Sequence, residues 1–140
     1  MYAFVHCRVV DYMTRDPRTV TPETRLGDAQ AIFQEHRFNG MPVVDDSGAL
    51  LGMLTKMDVL SAFILETGSI IPPYTEIMDY KVAAVMSRDV VSVPEDAYMT
   101  RVLQRLVNLG VKSFPVIDNR SVVGMIARED VLRALRETTR

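Results

Sequence analysis

The chain has 140 residues, 48 % hydrophobic and 24 % charged, with a formal net charge of −2. That balance fits a globular chain long enough for one ordinary domain or two very small ones, and it argues against disorder and against a coiled coil. Phosphate contacts supply most of the affinity of duplex-binding proteins, so without a basic surplus nucleic acid is not the expected partner.

The segment from Tyr2 to Arg8 is apolar only briefly and has no basic leader before a long apolar core, so it does not read as a signal peptide. No apolar run approaches the roughly 20 residues of a membrane helix, so no membrane partner is expected. Cys7 is the one cysteine; it lacks an evident activating base, and no Cys/His cluster is spaced for a metal. A reducing, cytoplasmic location is therefore expected. His6 and His36 are isolated and read as structural or surface residues.

A short strand is predicted at Thr19-Val20-Thr21, stopped by Pro22. Leu26, Ala29 and Phe33 then share one helical face, with Thr24 as the expected N-cap. Gly40 marks the exit from that helix. Met41 to Val44, a turn over Asp45 to Gly48, and Leu50 to Leu54 predict a hairpin, with Pro42 at a strand start where a missing donor is tolerated. A helix from Thr55 to Leu65 follows. Glu66 to Asp79, with Pro72-Pro73, reads as a connector, and its Ile70, Ile71, Tyr74 and Ile77 indicate that it packs down.

The same order then recurs. Val91-Ser92-Val93 is stopped by Pro94, and Met99, Val102 and Leu106 share a helical face after the expected N-cap Asp96. Gly110 marks the exit, Phe114 to Ile117 and Val122 to Ile126 flank a turn at Asp118 to Ser121, and a last helix runs from Ala127 to Leu135. Met13 lies over Met86 and Pro42 over Pro115 at an offset of 73; Gly52 lies over Gly124 and Asp58 over Asp130 at an offset of 72. Two related units at 1–68 and 80–140, joined by 69–79, follow from that register. One copy of ~55 residues is marginal for burying a core, so the copies are expected to pack face to face about a pseudo-twofold axis, leaving matched clefts.

The ordered set resembles a tandem cystathionine-β-synthase-type (CBS) domain pair, a stand-alone Bateman module. Its motifs are Val10-Asp11-Tyr12-Met13-Thr14, Gly40-Met41-Pro42-Val43-Val44-Asp45 and Gly52-Met53-Leu54-Thr55-Lys56-Met57-Asp58, with second occurrences at Ala84-Val85-Met86-Ser87, Ser113-Phe114-Pro115-Val116-Ile117-Asp118 and Gly124-Met125-Ile126-Ala127-Arg128-Glu129-Asp130. The resemblance implies an α+β (mixed α/β) fold of two βαββα units, each with a three-stranded mixed sheet and helices. It implies homodimerisation and an adenine-containing ligand (AMP, ADP, ATP or S-adenosylmethionine) in the clefts. It also implies control of an unidentified partner protein, with no catalysis.

The family pattern assigns the ribose hydroxyls to Asp58 and Asp130, a role that carboxylates also fill in dinucleotide folds. The competing reading is helix capping: Thr55-x-x-Asp58 resembles a capping box, whereas Ala127 has no hydroxyl to complete one at Asp130. Thr55 is a plain N-cap or a phosphate donor, or both. Ala127 departs from the family pattern, so the Thr55/Asp58 site is expected to bind more tightly. Lys56, Lys112 and Arg128 are phosphate candidates against a background of ordinary surface charge. Thr19, Val20, Met41, Pro42 and Val43, and Val91, Val93, Phe114, Pro115 and Val116, are placed by the pattern to form adenine slots, with sheet core as the plain alternative. No P-loop, Ser elbow or paired carboxylates points to catalytic residues, a metal or a catalytic cofactor. The competing function is a ligand-free dimeric scaffold for protein interaction.

Overall fold

The computed structural model describes residues 3–64 and 73–138. A 3-10 turn at Ala3–His6 leads into α1 (Val9–Tyr12) and the short strand β1 (Thr14–Arg15). Then come α2 (Leu26–Glu35), the hairpin β2 (Gly40–Val44) and β3 (Leu50–Thr55), and α3 (Lys56–Ser61). After α4 (Tyr74–Met78) and a 3-10 turn at Val82–Ala84, the order recurs as β4 (Val93–Pro94), α5 (Met99–Leu109), β5 (Ser113–Asp118), β6 (Ser121–Ala127) and α6 (Arg128–Thr138).

These elements form two compact units, and the units do not coincide with the repeats. One contains residues 1–17 and 91–140; the other contains residues 18–90. Division by repeat, at 1–68, 69–79 and 80–140, thus differs from division by packing. The reason lies in the lead segment of each repeat, which pairs with the other repeat's hairpin. In the first unit the sheet order is β1-β6-β5-β4, with β1 antiparallel to β6 and β4 parallel to β5. In the second, single bridges flank β2-β3: Val20 lies parallel to Val43 and Ser87 antiparallel to Met53. The expected three-stranded mixed sheet is thus present in the first of these units, with β1 of the other repeat as a fourth edge; in the second it is reduced to the β2-β3 hairpin with one bridge on each side.

Glycine makes that edge possible. A Cβ on Gly124 would lie 2.8 Å from the Thr14 carbonyl oxygen and 2.8 Å from the Met13 sulfur. A Cβ on Gly52 would overlap the Ser87 carbonyl oxygen and lie 2.6 Å from the Met86 methyl. The lead segments cross their sheets at these two bare positions.

The apolar faces read from the sequence are buried. Leu26, Ala29 and Phe33 are at most 4 % exposed and pack with Met41, Val43, Leu54 and Ile77. Met99, Val102 and Leu106 are at most 5 % exposed and pack with Phe114, Val116, Ile126 and Ala134. Removing such surface from water at about 25 cal/mol per Å2 is the main force holding each unit together.

Several local expectations change. Thr24 and Asp96 are not the N-caps; Arg25 and Tyr98 are, and neither makes a side-chain capping bond. The Thr24 hydroxyl instead accepts from the Thr21 amide at 3.0 Å, closing the turn before the helix. The first amides of the two helices donate to carbonyls of the lead segments, Leu26 to Tyr80 at 2.7 Å and Met99 to Cys7 at 2.9 Å. A backbone acceptor therefore does the capping that a side chain was expected to do. Gly110 takes the left-handed helix exit, with φ of 66°. Gly40 does not; α2 has already ended at His36 in extended backbone, and Gly40 opens β2.

Thr19-Val20-Thr21 contributes only the Val20 bridge, and the strand expected at Val91 begins at Val93. The helix expected to reach Leu65 ends at Ser61, with Leu65 outside the described residues; α6 runs on to Thr138. Within the connector, α4 buries Ile77 and Met78, while Tyr74 is exposed and stacks on Phe63. Ile70 and Ile71 lie outside the described residues.

Candidate functional site

β3 runs directly into α3, and β6 into α6, so each hairpin delivers a carboxylate to the first turn of a helix. In the unit of residues 18–90 the capping box read from the sequence is complete. The Asp58 amide donates to the Thr55 hydroxyl oxygen at 3.1 Å, and the Thr55 amide donates to Asp58 Oδ2 at 2.9 Å. Asp58 Oδ1 accepts from the Ser87 hydroxyl at 3.0 Å. Ser87 reaches this carboxylate because its backbone is bonded to Met53 in both directions at 2.9 Å. One repeat thus supplies the acid and the other its hydroxyl partner, inside a single unit.

In the unit of residues 1–17 and 91–140 half of this arrangement is kept. The Ala127 amide donates to Asp130 Oδ2 at 2.8 Å. Asp130 Oδ1 faces Arg133 Nη2 at 3.5 Å instead. The Arg133 guanidinium also donates to the Tyr12 carbonyl at 3.0 Å and sits 5.0 Å from the centre of the Tyr12 ring. The Tyr12 hydroxyl is bonded to Glu137 at 3.4 Å. Burial, and next the Glu137 carboxylate, push the Tyr12 phenol up from its ordinary range, while Arg133 opposes them.

Both carboxylates are partly exposed, and each is oriented by the amide three residues before it. An ionised carboxylate has about four lone-pair positions, so one amide bond leaves capacity for further donors. Vicinal hydroxyls are suitable donors for that capacity.

The remaining expected site residues divide by burial. Val20, Met41, Pro42 and Val43, and Val93, Phe114, Pro115 and Val116, are buried in the cores of their units. Thr19 and Val91 are exposed beside them. Lys56 and Lys112 are exposed at their hairpin ends. Arg128 is committed elsewhere: its guanidinium donates to the carbonyls of Val111 at 2.9 Å and Gly110 at 3.2 Å, just past the end of α5. It satisfies orphan acceptors there, which is the position where a cation suits the helix dipole.

Three residues at these carboxylates were not singled out from the sequence: Ser87, Tyr12 and Arg133. Ser87 had a signal, because Thr14 occupies its register and places a hydroxyl after the repeated methionine in both copies. Arg133 and Tyr12 had none, since Ser61 and Val85 hold the matching positions. Burial first, and then Asp11, push the Cys7 thiol up, away from the thiolate form. Among the described residues no group of His, Cys, Asp and Glu could hold a metal ion, and no helix is long and apolar enough to cross a membrane.

Two small sheets, each running into a helix that opens on a held carboxylate, define a tandem-repeat module. The CBS domain family model matches residues 9–65 and 82–137, and the chain belongs to that family. The chain is 27 % identical over 126 residues to L-aspartate semialdehyde sulfurtransferase of Methanocaldococcus jannaschii, covering 89 % of this chain and 22 % of that protein. It thus spans about a fifth of the length of that relative. The CBS domain pair of protein MJ0100, solved with 5′-methylthioadenosine and S-adenosyl-L-methionine, superposes with a TM-score of 0.77 at 25 % identity, covering 94 % of this chain and 97 % of that one. A CBS domain-containing protein from Bacillus anthracis superposes with a TM-score of 0.84 at 17 % identity, covering 97 % of both chains, a likeness of fold.

Proposed function

We propose that this chain is a non-enzymatic sensing module that binds an adenine-containing ligand and passes its occupancy to a partner protein. The carrying observation is the Asp58 carboxylate, oriented by the Thr55 amide and flanked by the Ser87 hydroxyl. That arrangement presents acceptors for a ribose diol beside a group that can donate or accept. The complex of the MJ0100 domain pair with two adenosine compounds supports the ligand class. The proposed site comprises Asp58, Thr55 and Ser87, with Thr19 at its apolar side and Lys56 toward a phosphate or other anionic tail. The matching site around Asp130, with Val91 and Lys112, binds the same class more weakly.

The proposed assembly is a cytoplasmic homodimer. α5 and α6 border an apolar groove of about 350 Å3, lined by Leu103, Leu106, Val107, Val131, Leu132 and Leu135. Val107 is 71 % and Leu132 64 % exposed, a concentration of apolar surface that a second copy would cover. Light scattering at micromolar concentration is expected to give a dimer mass, and a monomer would remove this part of the proposal. The same groove favours a second reading, a dimeric scaffold without ligand.

Calorimetric titration with AMP, ATP, 5′-methylthioadenosine and S-adenosylmethionine separates the two. The sensing reading expects saturable binding of at least one of them. Loss of hydrogen bonds to a charged group costs about 1.5–3 kcal/mol, so Asp58→Ala is expected to weaken that binding by about ten- to a hundred-fold. Folded protein that binds none of the four would leave the scaffold.

A further inference from the structure

We infer that Arg133 is a built-in occupant of the second carboxylate and sets the inequality of the two sites. This inference rests on the sensing reading. The units place Asp58 and Asp130 in the same way, each held by the amide three residues before it. They differ three residues further along the helix. In one unit that position is Ser61, whose hydroxyl turns back to the Met57 carbonyl at 2.8 Å and leaves Asp58 alone. In the other it is Arg133, whose guanidinium faces Asp130.

The lead segment carries a matching change. Val85 stands in one unit where Tyr12 stands in the other. Tyr12 holds the guanidinium twice, through its carbonyl and through its ring face. A guanidinium so anchored cannot be displaced by rotation about one bond. Ser87 beside Asp58 is the opposite case, because a hydroxyl rotor can turn its proton away and accept from an incoming ribose. Arg133 has only donors and offers a ribose hydroxyl nothing to donate to. A diol reaching Asp130 therefore shares the acid with a charged, anchored donor, whereas a diol reaching Asp58 shares it with a neutral hydroxyl that can reorient.

The test is calorimetric titration of the full chain with 5′-methylthioadenosine, which has the diol and no phosphate to be drawn to Arg133 itself. The wild type is expected to bind one equivalent tightly and a second at least about ten-fold more weakly, a gap of about 1.4 kcal/mol. Arg133→Ser, the residue of the matching register, is expected to bring the second equivalent to within about three-fold of the first. The reciprocal pair Ser61→Arg with Val85→Tyr is expected to weaken the Asp58 site, and it gives the answer independently should Arg133→Ser fold poorly. Two equal sites in the wild type would overturn the role of Arg133 while leaving the sensing reading intact. So would a second site unmoved by Arg133→Ser together with an Asp58 site unmoved by the reciprocal pair. No binding to the wild type or to either variant, with all three folded, would overturn both.

Discussion

The unit of residues 18–90 and the unit of residues 1–17 and 91–140 are two solutions to one placement problem. Both fix an acid at a strand-to-helix junction by a hydrogen bond of 2.8–2.9 Å donated by a backbone amide. Both lay the other repeat's lead segment across a glycine. Yet one acid meets Ser87 and the other Arg133. The backbone frame and the chemistry around the acid are therefore separable. The frame is set by hairpin register and bare glycines, which tolerate little change. The chemistry is set by two side chains outside the cores, Ser87 exposed and Arg133 partly exposed, which can change without disturbing a core.

The largest effect is expected where the frame itself is broken. Gly52→Ala drives a methyl into a backbone oxygen and a methionine methyl, and about 3 kcal/mol of stability is expected to be lost. Gly124→Ala meets the Met13 sulfur, which can move, and the Thr14 carbonyl, which moves less; about 1–3 kcal/mol is expected. Urea melts of the two variants measure the difference, and equal losses would break the proposed ranking of the crossings.

A smaller effect sharpens the contrast between capping arrangements. Thr55→Ala removes the hydroxyl of the complete box and is expected to cost about 1 kcal/mol. Ala127→Thr supplies the missing hydroxyl to the other unit and is expected to stabilise it by a similar or smaller amount. Thermal melts should move in opposite directions. The smallest effect belongs to Ser87→Ala, which deletes one exposed hydrogen bond to Asp58 and is expected to cost about 0.5–1.5 kcal/mol. A loss above that range would mean that Ser87 carries the lead segment's docking as well as the acid's orientation.

Much of the fold was legible because it was written twice. Leu26/Ala29/Phe33 and Met99/Val102/Leu106 gave two buried helix faces, whereas Pro42 and Pro115, expected at strand starts, are the third residues of β2 and β5. The box at Thr55 and Asp58 was legible because both partners sit three residues apart. What was not legible depends on distant backbone. The caps of α2 and α5 come from carbonyls of Tyr80 and Cys7, which no local pattern at Thr24 or Asp96 could announce. Arg128 reads as a phosphate cation until the end of α5 is seen to place two carbonyls against it. Arg133 acquires a role only when Tyr12, 121 positions earlier, is brought to its side.

The trading of lead segments has a consequence for how such a chain can come apart. A polypeptide cut in the connector would release two fragments, each carrying a rim strand or bridge that belongs to its counterpart and each lacking its own. Neither fragment holds a full sheet, so mixing them should rebuild structure that neither shows by itself. The same interlocking makes the second half's synthesis a precondition for finishing the first half's sheet, since Ser87 must emerge before Met53 finds its bridge.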